Sequence, residues 1–336
     1  MALVLNGRCL HRPVTGVERY AVQLQAALRR LELPFRTITT RHASGITGHL
    51  WEQLVLPLRL RRHDLLLGPA NTGPWLVRDH VLVVHDLAWL EHPEWFRGAF
   101  GTWYRLLLPS LIPRVRGLIT VSRTVADELA RRVPSTAQRI HVVPPAVATD
   151  SEPGPAPTGP PLFLFIGPGD PRKEVGTFQR AFALFRERRP EAQAVIVGDA
   201  GGVFARQELR PGPGETWTGR LDDDALFALM HRATALVMPS RYEGFGLPIL
   251  EAMARGCPVI ATDLPVFREA SGDAALRVPV GDATTLAGAM TELANDPQSR
   301  AARVRSGLLR AAHYSFDAQD AALHQALRAY APELSH

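Results

Sequence analysis

The chain has 336 residues, of which 46% are hydrophobic and 21% are charged, and its formal net charge is +5. This mixture can bury a large core, which excludes wholesale disorder, and a chain of this length is expected to divide into domains. Two cysteines exclude a disulfide scaffold and a cysteine-rich zinc module, and no apolar run approaches the ~20 residues of a membrane span. We therefore expect a soluble, cytoplasmic protein. The net charge is a weak field for so long a chain, so nucleic acid is not an expected partner.

Short apolar runs alternate with amphipathic segments in both halves of the chain. In the first half, strands are predicted at 2–5, 81–84, 117–121 and 141–143, and helices at 17–31 and 124–132. In the second half, strands are predicted at 162–166, 194–197, 235–238 and 258–261, and helices at 175–189, 224–232, 248–255 and 283–295. Continuous apolar runs are typical of parallel strands covered on both faces. The pattern predicts two Rossmann-like, doubly wound α/β domains.

The segment 150–161 has five prolines and two glycines, which cannot continue a helix or a central strand. It separates an N-terminal domain at 1–150 from a C-terminal domain at 162–312, with a linker at 151–161. A last helical segment spans 313–336. Because doubly wound domains bind ligands at the carboxyl ends of their strands, we expect a ligand in a cleft between the domains.

The sequence contains one lysine, Lys173, and 37 arginines. Lys173 closes the segment Gly167-Pro168-Gly169-Asp170-Pro171-Arg172-Lys173, which directly follows the strand at 162–166. Backbone N–H groups at a helix start, with two cations beside them, are suited to binding phosphate. A strand–helix turn with surface cations is the alternative interpretation of the same residues.

A second candidate site follows the strand at 235–238. Glu243 lies in a loop with Gly244 and Gly246, and Glu251 lies eight positions later, in a helix. Glycines let the backbone approach a ligand closely, and a carboxylate accepts hydrogen bonds from sugar hydroxyls. The triplet at 222–224 is acidic, but it precedes a helix, so capping accounts for it better than metal binding does.

The segment from Glu243 to Glu251 resembles the E-x7-E signature of the retaining glycosyltransferases of family 4. The order of further segments resembles that family over nearly the whole chain. These segments are Thr15 to Tyr20, Val83 to Leu87, Thr120 to Ser122, Val142 to Pro145, Pro171 to Lys173, Gly219 to Leu221 and Pro239-Ser240. The resemblance implies a GT-B fold, with a nucleotide-sugar bound between two Rossmann-like domains and with no required metal or other cofactor.

The resemblance also implies roles for individual residues. Lys173 and Arg172 would neutralise the diphosphate, Glu243 would bind hydroxyls of the transferred sugar, and His85 would contact that sugar near the acceptor. Glu251 would bind the ribose hydroxyls, and Gly16 would keep the first loop slim beside the phosphates. The remaining donor-binding positions are Gly167, Gly244, Phe245, Gly246, Leu247, Arg220 and Leu221.

One position departs from the family pattern, because Pro168 follows Gly167 where many members carry an arginine. This variant is similar to members that use mannose- or rhamnose-type donors. We expect a retaining hexosyltransferase with a glycan or lipid-linked glycan as acceptor, and GDP-mannose is the favoured donor. The alternatives are a rhamnosyl or glucosyl donor, a sugar phosphorylase or epimerase, and an inactive sugar-nucleotide-binding subunit.

Aromatic and arginine residues interleave between 89 and 116. Such a segment suits peripheral contact with the inner face of a membrane, core packing, or stacking on an acceptor sugar. The sequence leaves these three alternatives open.

Overall fold

The computed structural model describes residues 2–12, 15–95, 98–149, 159–199 and 210–335. Residues 151–158 of the predicted linker at 151–161 therefore lie outside the described residues. The chain divides into two compact units. Unit 1 comprises Met1–Glu91, Gly98–Ala146 and Phe316–His336, and unit 2 comprises His92–Arg97 and Val147–Ser315.

Unit 1 contains a parallel sheet that has six strands among the described residues, in the order β2-β1-β3-β4-β5-β6. Its strands are β1 (Ala2–Asn6), β2 (Phe35–Ile38), β3 (Asp64–Gly68), β4 (His80–Val84), β5 (Gly117–Thr120) and β6 (Ile140–Val142). Every residue of β3, β4 and β5 is buried, as expected for central strands covered on both faces.

The helices of unit 1 that precede its last strand are α1 (Gly16–Arg30), α2 (Gly45–Leu50), α3 (Leu56–Leu58), α4 (Ala88–Glu91), α5 (Gly98–Leu111) and α6 (Arg123–Arg132). A π-helical segment, Trp51–Val55, joins α2 to α3. Short 3-10 helices span Arg8–His11, Pro93–Trp95, which belongs to unit 2, and Pro134–Arg139. Ser122 caps α6, because its side chain accepts a hydrogen bond from the Val125 amide.

Unit 2 contains a second parallel sheet, whose six described strands have the order β12-β11-β10-β7-β8-β9. The strands are β7 (Leu162–Ile166), β8 (Gln193–Val197), β9 (Glu215–Gly219), β10 (Ala235–Met238), β11 (Val259–Thr262) and β12 (Leu276–Val278). Phenylalanines dominate one face: Phe163 and Phe165 of β7 pack with Phe178, Phe182 and Phe185. Strand β7 pairs with β8 and with β10, which places it inside the sheet.

The helices of unit 2 are α7 (Val175–Arg186), α8 (Asp223–Arg232), α9 (Leu247–Ala254), α10 (Pro265–Ser271), α11 (Ala283–Asn295) and α12 (Pro297–Ala312), and a 3-10 helix spans Pro171–Lys173. The prediction of two doubly wound parallel sheets is confirmed.

The last helix, α13 (Phe316–Tyr330), belongs to unit 1, and a 3-10 helix, Pro332–Ser335, follows it. Arg30 of α1 donates two hydrogen bonds to the Asp320 carboxylate, at 2.6 and 2.7 Å. The Tyr330 hydroxyl donates to the Leu118 carbonyl at 2.6 Å. These contacts bind the C-terminal helix to the N-terminal sheet.

The strand order reverses once in each sheet. In unit 2, β8 and β9 lie on one side of β7, whereas β10, β11 and β12 lie on the other. The carboxyl ends of β7 and β10 therefore flank the switch point, where doubly wound sheets bind their ligands. No described helix is long and apolar enough to cross a bilayer.

Candidate active site

The loop after β7 is built to present two cations. Gly167 has φ of +87°, which favours glycine, and its amide donates to the Val197 carbonyl at 2.8 Å. Asp170 then caps the 3-10 helix Pro171–Lys173 by accepting a hydrogen bond from the Arg172 amide at 3.0 Å. Arg172 and Lys173 therefore emerge from a short, well-capped turn at the carboxyl end of the central strand.

The Asp170 carboxylate also holds the Arg172 guanidinium. Arg172 Nε lies 3.0 Å from both carboxylate oxygens, and its Nη2 lies 2.7 Å from Oδ2. Asp170 is buried, so this bidentate contact is poorly screened by water. The orientation of Arg172 is consequently set by Asp170.

Lys173 is joined to the loop that follows β10. Its Nζ lies 3.1 Å from Glu243 Oε1, and the same oxygen accepts a hydrogen bond from the Ser240 hydroxyl, also at 3.1 Å. Because β7 and β10 are neighbours, this cation–carboxylate pair spans the switch point of the sheet.

A second pair of contacts ties the two loops together. The Arg241 amide donates to the Arg172 carbonyl at 2.8 Å, and the Arg241 side chain lies 2.8 Å from Glu174 Oε1. Glu174 has φ of +55°, an uncommon value for a residue with a side chain, and it also accepts from Thr177 Oγ1 at 2.8 Å. The carboxylate of Glu174 thus holds its own backbone in the turn that starts α7.

The glycines between Glu243 and α9 have structural reasons to be glycine. Gly246 has φ of +95°, and a Cβ atom there would lie 2.7 Å from the Phe267 ring. Phe245 is buried and makes an edge contact with Tyr314, at 5.5 Å between ring centroids. Gly244 and Leu247 are also buried. The α9 helix therefore begins at a fixed place beside Glu243.

Glu251 lies one turn into α9 and is buried. Arg255, one turn further on, donates to the Glu251 carbonyl at 3.0 Å, and its guanidinium lies 3.2 Å from the centre of the Phe227 ring. A buried carboxylate at this position is compatible with binding a pair of hydroxyls.

Arg220 and Leu221 follow β9, two strands away from β7. Arg220 is exposed and its Nε lies 2.8 Å from Asp199, which follows β8. Pro168 is buried, and a Cβ atom added to Gly198 would lie 3.1 Å from it. The structure thus places Pro168 against the end of β8 and keeps Arg220 at the edge of the sheet, apart from the Lys173–Glu243 pair.

His85 and Gly16 belong to unit 1. His85 follows β4; its Nε2 donates to the Pro69 carbonyl at 2.8 Å, and its ring meets Tyr20 edge-on at 5.1 Å. Burial lowers the pKa of His85, so the imidazole is neutral, with its proton on Nε2. Gly16 begins α1 and has no atoms near the position of a Cβ, so the packing of unit 1 does not require glycine there.

The acidic triplet at 222–224 serves helix α8. The Asp222 side chain accepts from the Ala225 amide at 2.8 Å, and the two residues after it lie in the first helical turn. Within the ranges that the structure describes, no group of three histidine, cysteine or acidic side chains is arranged to hold a metal.

The sequence predicted no individual role for Asp170, Glu174 or Ser240, although Asp170 and Ser240 lie in segments named above. The Asp170-Pro171 pair carries a signal, since aspartate is a favoured N-cap and proline a favoured first helical residue. Glu174 and Ser240 carry no comparable signal. Their importance comes from the contact between two loops that lie about 70 positions apart in sequence.

Two doubly wound parallel α/β units are the components of the GT-B fold of glycosyltransferases. Residues 14–151 match the family described as Glycosyltransferase Family 4, and residues 147–308 match Glycosyl transferases group 1. The two matches together span most of the chain, which belongs to the family 4 glycosyltransferases.

Individual relatives agree with this assignment. The O-antigen chain mannosyltransferase RfbU of Salmonella typhimurium is 28% identical over 69% of this chain and 65% of its own length. A glycogen synthase of Mycobacterium tuberculosis is 28% identical over 67% of this chain and 57% of its own length. The chain thus matches less than two thirds of either relative. The structure of sucrose-phosphate synthase from Thermosynechococcus elongatus has the same fold, with a TM-score of 0.76 and 18% identity over 98% of both chains.

Proposed function

We propose that this glycosyltransferase moves mannose from GDP-mannose to a glycan or lipid-linked glycan, with retention of the anomeric configuration. The observation that carries the proposal is the 3.1 Å contact between Lys173 Nζ and Glu243 Oε1 at the β7–β10 switch point. That point is where a doubly wound sheet places its ligand.

Electrostatics supports a diphosphate leaving group at this point. Breaking the bond between sugar and phosphate leaves negative charge on the diphosphate and positive charge on the sugar ring. Lys173 and Arg172, fixed by Glu243 and Asp170, are cations held in place before the bond breaks. Preorganised charges of this kind lower the barrier because they need no reorganisation during the reaction.

Glu243 has a second role in the proposal. When the donor binds, the diphosphate attracts the Lys173 ammonium. The Glu243 carboxylate is then free to accept hydrogen bonds from hydroxyls of the transferred sugar. The Ser240 hydroxyl also donates to Glu243 Oε1, at 3.1 Å, and so holds the carboxylate in place. Glu251 is assigned to the ribose hydroxyls, and the buried glycine backbone at Gly244 to the sugar and phosphate.

The route of the proton follows from the groups available. The acceptor hydroxyl attacks the anomeric carbon on the face that the diphosphate leaves, and a phosphate oxygen takes its proton. The oxygen–carbon bond to the acceptor forms as the carbon–oxygen bond to phosphate breaks, so the configuration is retained. Such a step needs no nucleophile from the protein.

The identity of the donor rests on two observations. RfbU, a mannosyltransferase, aligns over 69% of this chain, and Pro168 stands where many family members have an arginine. The glycogen synthase relative favours a glucosyl donor as a second candidate.

The experiment that separates the donors is a thermal-shift screen with GDP-mannose, GDP, UDP-glucose, ADP-glucose and a TDP-sugar. A donor that binds only the folded protein stabilises it, by about 2.7 kcal/mol when the donor is present at one hundred times its Kd. This stabilisation raises the melting temperature. The donor that does so is then tested for transfer, with NMR of the product anomer. A shift with UDP-glucose or ADP-glucose alone would overturn the mannose assignment, and an inverted anomer would overturn retention.

A further inference from the structure

Four large apolar side chains lie exposed on one face of the helical run from α2 through the π-helical segment to α3. They are Ile46, Leu50, Leu54 and Leu58, which are 76, 52, 62 and 85% exposed. A spacing of four residues drifts by about 40° per step around an α-helix. The π-helical segment Trp51–Val55 takes more residues per turn, which draws the row back into line.

The opposite face of this run is anchored in unit 1. Trp51 and Leu56 are buried in a cluster with Val4 and Leu66. Glu52, almost fully buried, accepts from the Asn6 side chain at 2.8 Å and lies 3.2 Å from Arg8 Nε. Rotating the exposed leucines inward would break this buried ion pair, so they stay on the surface.

A neighbouring loop extends the exposed surface. The Gln53 side chain donates to the Gly73 carbonyl at 2.8 Å and accepts from the Trp75 amide at 3.0 Å. Trp75 is 37% exposed with the Arg114 guanidinium 3.9 Å from its ring centre, and Leu76 is also exposed. A partly exposed tryptophan beside an arginine is suited to an interface between apolar and charged surroundings.

The exposed charged side chains in the stretch of sequence that carries the row are basic, and Asp79, which follows Trp75 and Leu76, is paired with Arg116 at 2.9 Å. Between positions 33 and 63 the sequence contains one acidic residue, Glu52, and that residue is buried. Arg41, Arg59, Arg61 and Arg62 are all exposed in the same stretch. Exposed leucines flanked by arginines, without exposed acidic residues among them, complement an anionic lipid surface.

We infer that this basic apolar face docks on the headgroup region of an anionic bilayer. The face is formed by Ile46, Leu50, Leu54, Leu58, Trp75, Leu76, Arg41, Arg59, Arg61 and Arg62. The leucines insert among the headgroups, and the arginines are attracted by the anionic lipids.

This surface differs from the interleaved segment 89–116. There Trp89, Trp95 and Tyr104 are buried, and Trp95 stacks on His92 with ring centroids 3.7 Å apart. Phe96 and Arg97 lie outside the described residues. The aromatic side chains described as buried are therefore part of the interior and are not available to a bilayer.

Vesicle flotation tests the inference with the full chain. Wild-type protein should float with phosphatidylcholine vesicles that contain phosphatidylglycerol, and much less with pure phosphatidylcholine or in about 0.5 M salt, where charges are screened. The double variant Leu54→Ser, Leu58→Ser should lose on the order of tenfold in binding. Arg61→Gln, Arg62→Gln should lose roughly thirtyfold, since each arginine near an anionic surface contributes about fivefold in binding.

Leu309→Ser is the matched control, because Leu309 is 72% exposed on α12 of unit 2. It should float as the wild type does, and all variants should keep the wild-type melting temperature. Three results would overturn the inference: no flotation of wild type at low salt, unchanged flotation of both double variants, or equal losses in the control. Sedimentation without vesicles tests whether a second copy of this chain binds the face instead. A dimer that the Leu54→Ser, Leu58→Ser variant abolishes while its flotation persists would assign the face to a second copy of this chain.

Discussion

The aliphatic chain of Lys173 lies directly over the α-carbon of Gly167. A Cβ atom at position 167 would lie 2.8 Å from Lys173 Cδ and 3.0 Å from Cε. The glycine is therefore required twice, once by its φ of +87° and once by the path of the lysine towards Glu243. The two requirements can be separated by experiment.

Gly167→Ala should destabilise the protein and also displace Lys173. The left-handed backbone alone costs about 1–2 kcal/mol for a residue with a side chain. Gly281→Ala is the matched control, because Gly281 has φ of +78° and nothing near the position of its Cβ. We expect similar losses in unfolding free energy from the backbone, but a loss of donor turnover only in Gly167→Ala. Equal turnover in the two variants would show that the path of Lys173 is unimportant.

Lys173→Ala should lower turnover by about 10²–10³, the scale for removing one preorganised charge at a reacting group. Lys173→Arg keeps the charge but replaces a compact ammonium by a planar fork, and should recover only part of the activity. Arg189→Ala removes a half-exposed cation elsewhere in unit 2 and should leave the rate unchanged. Single-turnover kinetics measures all three, and near-normal turnover in Lys173→Ala would remove this residue from the mechanism.

Asp170→Asn tests whether the bidentate contact orients Arg172. Asparagine can still cap the 3-10 helix but cannot hold the guanidinium through two charged oxygens. It also removes a negative charge beside the diphosphate, so nucleotide affinity should change little or rise. We expect kcat to fall about tenfold, on the scale of one charge-assisted hydrogen bond, while the Kd for GDP is maintained.

The control for Asp170→Asn is Glu191→Gln. Glu191 lies 2.7 Å from Arg189, two positions away in sequence as in the Asp170–Arg172 pair, but it precedes β8 at the amino edge of the sheet. The Kd for GDP, measured by calorimetry, and the steady-state rates of Glu191→Gln should equal those of the wild type. A parallel loss of kcat and GDP affinity in Asp170→Asn would mean that the loop has lost its structure instead.

The sequence was informative at most strands where burial on both faces produced a continuous apolar run, although the buried strand β3 (Asp64–Gly68) was not predicted. Strands β7 and β10 were predicted with the bounds that the structure gives them. The edge strand β9 was missed, because Glu215–Gly219 alternates between half-buried and exposed residues and contains no apolar run. Strand β2, Phe35–Ile38, was missed for a similar reason, since three of its four residues are half-buried.

The candidate site was predictable to a similar degree. Lys173 and Glu243 could be singled out from composition and spacing, and the structure brings them within 3.1 Å. The left-handed conformation of Glu174 could not be predicted from the sequence, because glutamate has no preference for it. Arg241 and Thr177 hold the residue in that conformation. Contacts of this kind depend on the three-dimensional neighbours of a residue and leave no pattern in the sequence around it.

Buried histidines predict how stability depends on pH. Burial lowers the pKa of His80 to about 3, and neither ring nitrogen has a hydrogen-bond partner among the described residues. In the unfolded chain a histidine titrates near 6.5, so the unfolded state binds the extra proton between about pH 6.5 and 3. Stability from this group is therefore complete above about pH 6.5 and is lost as the pH falls, by about 1.4 kcal/mol per pH unit.

His80→Leu should flatten that dependence. The site is tight, since a Cβ at Gly73 would lie 2.0 Å from the His80 ring, so leucine is chosen as an apolar side chain of similar size. Below about pH 6 the slope of the unfolding free energy against pH should fall by about 1.4 kcal/mol per pH unit, the contribution of one proton. His49, whose pKa burial lowers to about 4, should maintain part of the remaining slope. Urea unfolding at a series of pH values measures both slopes, and identical slopes in the variant and the wild type would contradict the assignment to His80.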